Sequence, residues 1–101
     1  YLARSREEYA QACEHLNVDV GSINSLAGTC RHYQNEDTNE NLYLIGVFNG
    51  DIGTLVHECA HATFYCCHDV GVVIEAHKAN ETYCYLLDRM FSHFLPHIKQ
   101  E

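Results

Sequence analysis

No stretch of this sequence approaches the ~18 consecutive apolar residues that a membrane-spanning helix requires, so no membrane partner is expected. Basic residues are scarce: 6 Lys and Arg stand against 14 Asp and Glu, giving a formal net charge of −8. A surface of that sign repels a phosphate backbone and argues against nucleic-acid binding. If it draws anything by charge, it draws cationic partners. There is no Cys-x-x-Cys pair, no secretory signal, no internal repeat and no low-complexity tract. Cys13, Cys30, Cys59, Cys66, Cys67 and Cys84 therefore read as small buried apolar residues held reduced, which implies a cytoplasmic setting. The single proline, Pro96, falls inside the last helical pattern, where it should interrupt or kink the helix. The sequence opens on Tyr1 rather than Met, so native residues, of the kind that can include a targeting segment, are expected ahead of it.

What is present suffices for one domain spanning residues 1–101, with 47 % hydrophobic residues and one modest core. Ser5 is a good N-cap with Glu8 as its capping-box partner, and Tyr9, Ala12, Cys13 and Leu16 follow at helical spacing. The pattern predicts a helix from Arg6 to His15 or Leu16. Residues 17–25 read as a loop, 26–34 as a short strand, and 35–41 as a polar hairpin tip. Residues 42–48 are the clearest strand. They are too uniformly apolar to have a wet face, so a central or covered position is implied. The two strands suit an antiparallel hairpin, with residues 1–3 as a third strand.

After the Asn49-Gly50 turn, Asp51 caps a second helix. Ile52, Leu55, Val56, Cys59, Ala60, Thr63, Phe64 and Cys67 are expected on its core side, and His57, Glu58, His61, Tyr65 and His68 beside them. Gly71 is a natural stop. A third helix begins between Glu75 and Asn80 and carries Tyr83, Leu87, Met90, Phe91, Phe94 and Ile98. The expected fold is α+β, three helices packed with a small antiparallel sheet.

The second helix holds the most specific motif, His57-Glu58-Cys59-Ala60-His61. Two imidazoles four residues apart share a helix face and suit one Zn2+, with Glu58 as general base on a zinc-bound water. A third ligand is needed. His68 lies about 10 Å along the helix from His61, too far for the same ion. Cys67 would serve only if the chain turned near Phe64. His77 would serve if its loop folded back. Glu81 is favoured, because an antiparallel return of the third helix would deliver its carboxylate. His15, His32, His93 and His97 need no functional reading. Asp69 and Asp88 are candidates to support the zinc histidines.

His57-Glu58-x-x-His61 followed by Asn80-Glu81 resembles the gluzincin, thermolysin-like branch of zinc metallopeptidases. The chain is also similar to small phage-encoded proteins in which such a helix precedes a Tyr-Leu-rich final helix, as Tyr83 to Leu87 do here. The resemblance implies a minimal zincin-like domain with the motif on its central helix. It implies His57, His61 and Glu81 as zinc ligands, Glu58 as base, and residues 42–48 beside a peptide substrate. It also implies the host bacterial cytoplasm as location. Tyr85, one turn after Glu81, is the first candidate for stabilising the oxyanion, and His77 the second. Tyr85 stands where the larger enzymes carry a supporting Asp, and their substrate-shaping lobe is absent. The expected activity is therefore a zinc-dependent hydrolase, most simply a peptidase. The alternative is a non-catalytic zinc-binding structural or protein-interaction domain.

Overall fold

A computed structural model describes residues 1–98. They form β1 (Leu2–Ala3), α1 (Arg6–Leu16), β2 (Gly28–Gln34), β3 (Asn41–Val47), α2 (Ile52–Asp69) and α3 (Asn80–Ile98). The caps read from sequence form. The Ser5 hydroxyl accepts from the Glu8 amide at 3.1 Å, and the Asp51 carboxylate accepts from the Gly53 amide. The return bond of the capping box shifts by one residue, because the Glu8 carboxylate accepts from the Arg4 amide at 2.8 Å. The chain leaves α1 through Asn17 in the left-handed conformation, φ 59°, which asparagine tolerates better than most residues.

The sheet has the order β1-β3-β2. It is mixed, which corrects the expectation of an antiparallel sheet: β2 runs antiparallel to β3, but β1 runs parallel to it, Leu2 opposite Ile45 and Ala3 opposite Gly46. Parallel partners need a long crossover, and α1 with the hairpin behind it supplies one. β3 is central, as its apolar run demanded. Leu44, Ile45, Gly46 and Val47 are all buried.

Alternate residues of β3 feed two cores. Leu44 joins Ala3, Tyr9, Cys13 and Ile23 under α1. Ile45 and Val47 join Leu55, Cys59 and Ala62 under α2, with the α3 side chains Leu87, Met90, Phe91 and Phe94 packed around them. The fold is thus α1, sheet, then α2 with α3. The six thiols are free, and Cys13, Cys59 and Cys67 are buried.

Two expectations about the helices change. The buried side of α2 comprises Leu55, Glu58, Cys59, Ala62, Thr63 and Cys67, whereas Ile52, Val56 and Phe64 are exposed. The helix is rolled so that Glu58 enters the sheet interface. α3 runs through Pro96 to Ile98 without interruption. A proline there removes one bond in the final turn, where disruption is least costly. None of the 19 residues of α3 is fully buried, so its apolar stripe is only partly covered.

Candidate functional site

The two motif histidines do meet. His57 Nε2 and His61 Nε2 lie 3.2 Å apart, with their rings nearly perpendicular at 77°. Both are exposed, as is His68. At about 100° per residue these three form the pole of α2 opposite its buried side, and neither flanking element overlies them. On one flank, the backbone of Gly28 in β2 approaches Thr54 and Glu58. On the other, the Phe64 and Tyr83 rings meet at 4.7 Å with a tilt of 43°, and the Tyr83 hydroxyl approaches the Ala60 carbonyl at 3.5 Å.

Tyr83 therefore marks the side of α3 that faces α2. Glu81, two residues earlier, is about 200° away around the helix, and it is exposed. Tyr85 shares the face of Glu81 and is 64 % exposed. His77 is exposed in the turn closed by the Glu75–Lys78 bridge. Cys67 is buried.

Among the described residues, no group of three or more His, Cys, Asp or Glu side chains is arranged to hold a metal ion. This overturns the reading of His57, His61 and Glu81 as a zinc centre. The Zn2+ cofactor, the zinc-dependent hydrolase or metallopeptidase activity, the zincin-like interpretation of the fold, and the gluzincin and phage-protein resemblance fall with it. The α+β arrangement of three helices and a three-stranded sheet remains.

Glu58 is 7 % exposed. Burial holds its carboxyl above the ordinary value, and the charges of His57 and His61 oppose that rise. Because the folded chain binds this proton more tightly than the unfolded one, the associated stability is complete below the unfolded pKa. It is lost as pH rises through the folded value. Glu58→Gln keeps the site neutral at every pH. It is expected to raise the urea midpoint near neutral pH, with the gain vanishing below about pH 4, where an unfolded carboxyl is already protonated. A lower midpoint at neutral pH would show instead that the carboxylate is held by a favourable charge pairing. The neighbouring thiols are poor nucleophiles. Burial, with Glu58 nearby, pushes Cys30 up to about 12 and Cys59 up to about 11.

His32, for which spacing suggested no role, joins three elements. Its ring stacks between Tyr43 at 5.2 Å and Tyr65 at 5.5 Å. His32 Nε2 lies 3.1 Å from Asp69 Oδ2 and 2.9 Å from Asn41 Oδ1. Both neighbours are acceptors, so this nitrogen carries the proton. The Tyr43 hydroxyl donates to the same Asp69 carboxylate, and burial together with that contact raises the Tyr43 phenol well above its usual range. Asp69 is thus engaged with the sheet rather than with His57 or His61. Asp88, the other proposed supporter, accepts from the Ser92 hydroxyl. Alternation along β2 could have flagged His32 as inward-facing, but its partner at the far end of α2 could not be read from spacing.

A concavity lies on the other side of β3. It is a groove of about 670 Å3. One wall is apolar and comes from Leu16, Val18 and Tyr33; the opposite wall is Met90 and Phe94 of α3. Asn41, Leu42 and Tyr43 form its floor, and Glu40 stands at one end. The floor is the edge of β3 that β1 does not reach, since β1 pairs only with Ile45 and Gly46. The last contacts are the Tyr1 nitrogen on the Tyr43 carbonyl at 2.9 Å and the Ile45 amide on the Tyr1 carbonyl at 2.8 Å. None of the described helices is long and apolar enough to cross a membrane. No family model, curated protein or solved structure is similar to this chain.

Proposed function

We propose that this chain is a protein-interaction domain whose docking site is the groove between α1 and α3. The observation that carries the reading is the groove itself: a concave surface with apolar walls on two sides, from Leu16 and Val18 and from Met90 and Phe94. Apolar walls with a few polar groups at the rim are the usual make-up of a recognition site. The incompletely covered stripe of α3, with Met90 and Phe94 turned into the groove, supports the same reading. So does the engagement of Asp69, Tyr43 and His32 with one another, which fixes the groove floor from behind.

The test is selection from a random peptide library displayed on phage. Enrichment is expected on the unaltered chain, and loss of enrichment on Phe94→Arg and, separately, on Val18→Arg, which place a charge on opposite walls. Far-UV circular dichroism establishes that each variant is folded. Tyr85→Arg, on an exposed face outside the groove, should enrich like the unaltered chain. Equal enrichment on all four proteins, or none on any, would overturn the proposal.

A further inference from the structure

We infer that two copies of this chain pair through β2, antiparallel and about a two-fold axis at Cys30, so that their three-stranded sheets join into one. The pairing is separate from the groove and rests on three features of the β2 edge.

The first is the pattern of hydrogen-bonding groups. β2 is the outer strand on the side of β3 away from β1. The Phe48 amide donates to the Ala27 carbonyl, so the backbone of Ala27 faces β3. That direction alternates along a strand, which turns the N–H and C=O of Gly28, Cys30, His32 and Gln34 outward. Among the described residues no backbone partner reaches them. The usual devices that blunt an exposed edge are not used here. β2 holds no proline or lysine, and its register with β3 runs from Gly28 to Gln34 without a bulge. Its arginine, Arg31, is turned back onto the Tyr9 ring and the Asp19 carbonyl.

The second feature is steric and sets the register. Side chains alternate between faces, and Gly28, Cys30 and His32 lie on the α2 side. The His32 ring has Tyr43 of β3 on one side and Tyr65 of α2 on the other. Tyr65 therefore overhangs the edge, where the side chain of a neighbouring strand would stand. A strand added there fits best with a glycine opposite His32. An axis at Cys30 does this: Gly28 of each copy falls opposite His32 of the other, and Thr29 falls opposite Arg31. An axis at Arg31 would set two guanidinium groups against each other, and an axis at His32 would drive a second imidazole into Tyr65.

The third feature is charge, and it selects a second copy as the occupant. β2 begins beside Arg6, whose guanidinium donates to the Ile23 and Leu26 carbonyls. It ends in a tip that carries Glu36 and Asp37. The antiparallel direction lays the acidic tip of each copy along the Arg6 end of the other. This edge is thus complementary to itself, although the chain as a whole carries −8.

Sedimentation equilibrium over a concentration series, with amide hydrogen exchange at both ends of it, tests the pairing on the unaltered chain. A dimer is expected in which the Gly28, Cys30 and His32 amides exchange about 10-fold or more slowly than in the monomer. The Gln34 amide, beyond the overlap, should change little. Three variants separate this pairing from general self-association. Thr29→Glu raises the net negative charge, yet it should tighten the dimer about 3-fold or more by meeting Arg31 of the other copy, and Thr29→Lys should loosen it by a similar factor. Glu36→Gln combined with Asp37→Asn lowers the net charge, yet it should weaken dimerisation. A chain that stays monomeric at every concentration would overturn the inference. So would a dimer whose edge amides remain unprotected, or variants whose association follows net charge alone. None of these outcomes bears on peptide capture by the groove.

Discussion

Tyr9→Ala is expected to cost about 3–5 kcal/mol, the range for truncating a large buried aromatic. Domains of this size are stable by only about 5–15 kcal/mol, so the variant should lose a large share of its stability. Tyr9 is fully buried beneath α1. Its ring makes an edge-to-face contact with Phe48 at 5.7 Å, and the Arg31 guanidinium lies over it at 5.6 Å. The backbone of Gly46 in the central strand comes within close range of the ring. Cys13, Leu44 and Ile23 complete the cluster. The cluster cannot collapse onto the vacated space without moving α1 or the loop that carries Ile23. Guanidinium unfolding measures the loss. A change below about 1 kcal/mol, typical of surface substitutions, would mean that α1 is not docked on the sheet as described.

The second large effect is expected from a single added methyl. At Gly28, a Cβ would sit 2.6 Å from Thr54 Cγ2, 2.7 Å from the Gly46 carbonyl oxygen and 3.3 Å from Glu58 Cγ. One obstacle is a side-chain methyl and another is backbone of the central strand, so α2 and β2 must separate or β2 must shift against β3. Overpacking of this kind costs about 1–3 kcal/mol, and Gly28→Ala should fall in the upper part of that range. The contacts also predict a partial rescue. Thr54→Ser removes the Cγ2 atom and should recover some of the loss in the double variant, with the remainder held by the Gly46 carbonyl. Complete rescue, or none, would show that one contact alone limits the approach. Additivity of the two changes in a double-mutant cycle would exclude the contact altogether.

Local chemistry was legible in the sequence where one residue acts on its own neighbours. Ser5, Asp51 and Asn17 define helix boundaries through bonds that span at most a few residues, and the apolar run ending at Val47 announced the central strand. What spacing could not supply is the rotational phase of one helix against another. Ile52, Val56 and Phe64 belong to the hydrophobic side of α2 by composition. Leu55, Cys59, Thr63 and Cys67 are covered as expected, yet Glu58 and Ala62 are covered in place of those three, because the sheet, reached through Gly28, and α3, reached through Tyr83, determine the roll. The same uncertainty decided the metal motif. His57 and His61 are neighbours by helical geometry alone, and they are found together. Glu81 needed a particular face of α3 to be turned inward, and Tyr83 occupies that face instead. The groove was invisible for a related reason. It is bounded by segments near residues 16, 42 and 94, which become neighbours only after three layers have assembled.

The two-residue strand at the start of the chain has a kinetic consequence. Leu2 pairs with Ile45, 43 positions away, and joining such distant segments carries a loop-closure entropy that local helices and the β2–β3 hairpin do not incur. The hairpin and α2 can consolidate before Leu2 and Ala3 find Ile45 and Gly46. Until they do, the whole outer margin of the central strand stands bare in the nascent molecule, a surface that other chains could template upon. The last step of maturation would then be the closing of that margin from one end.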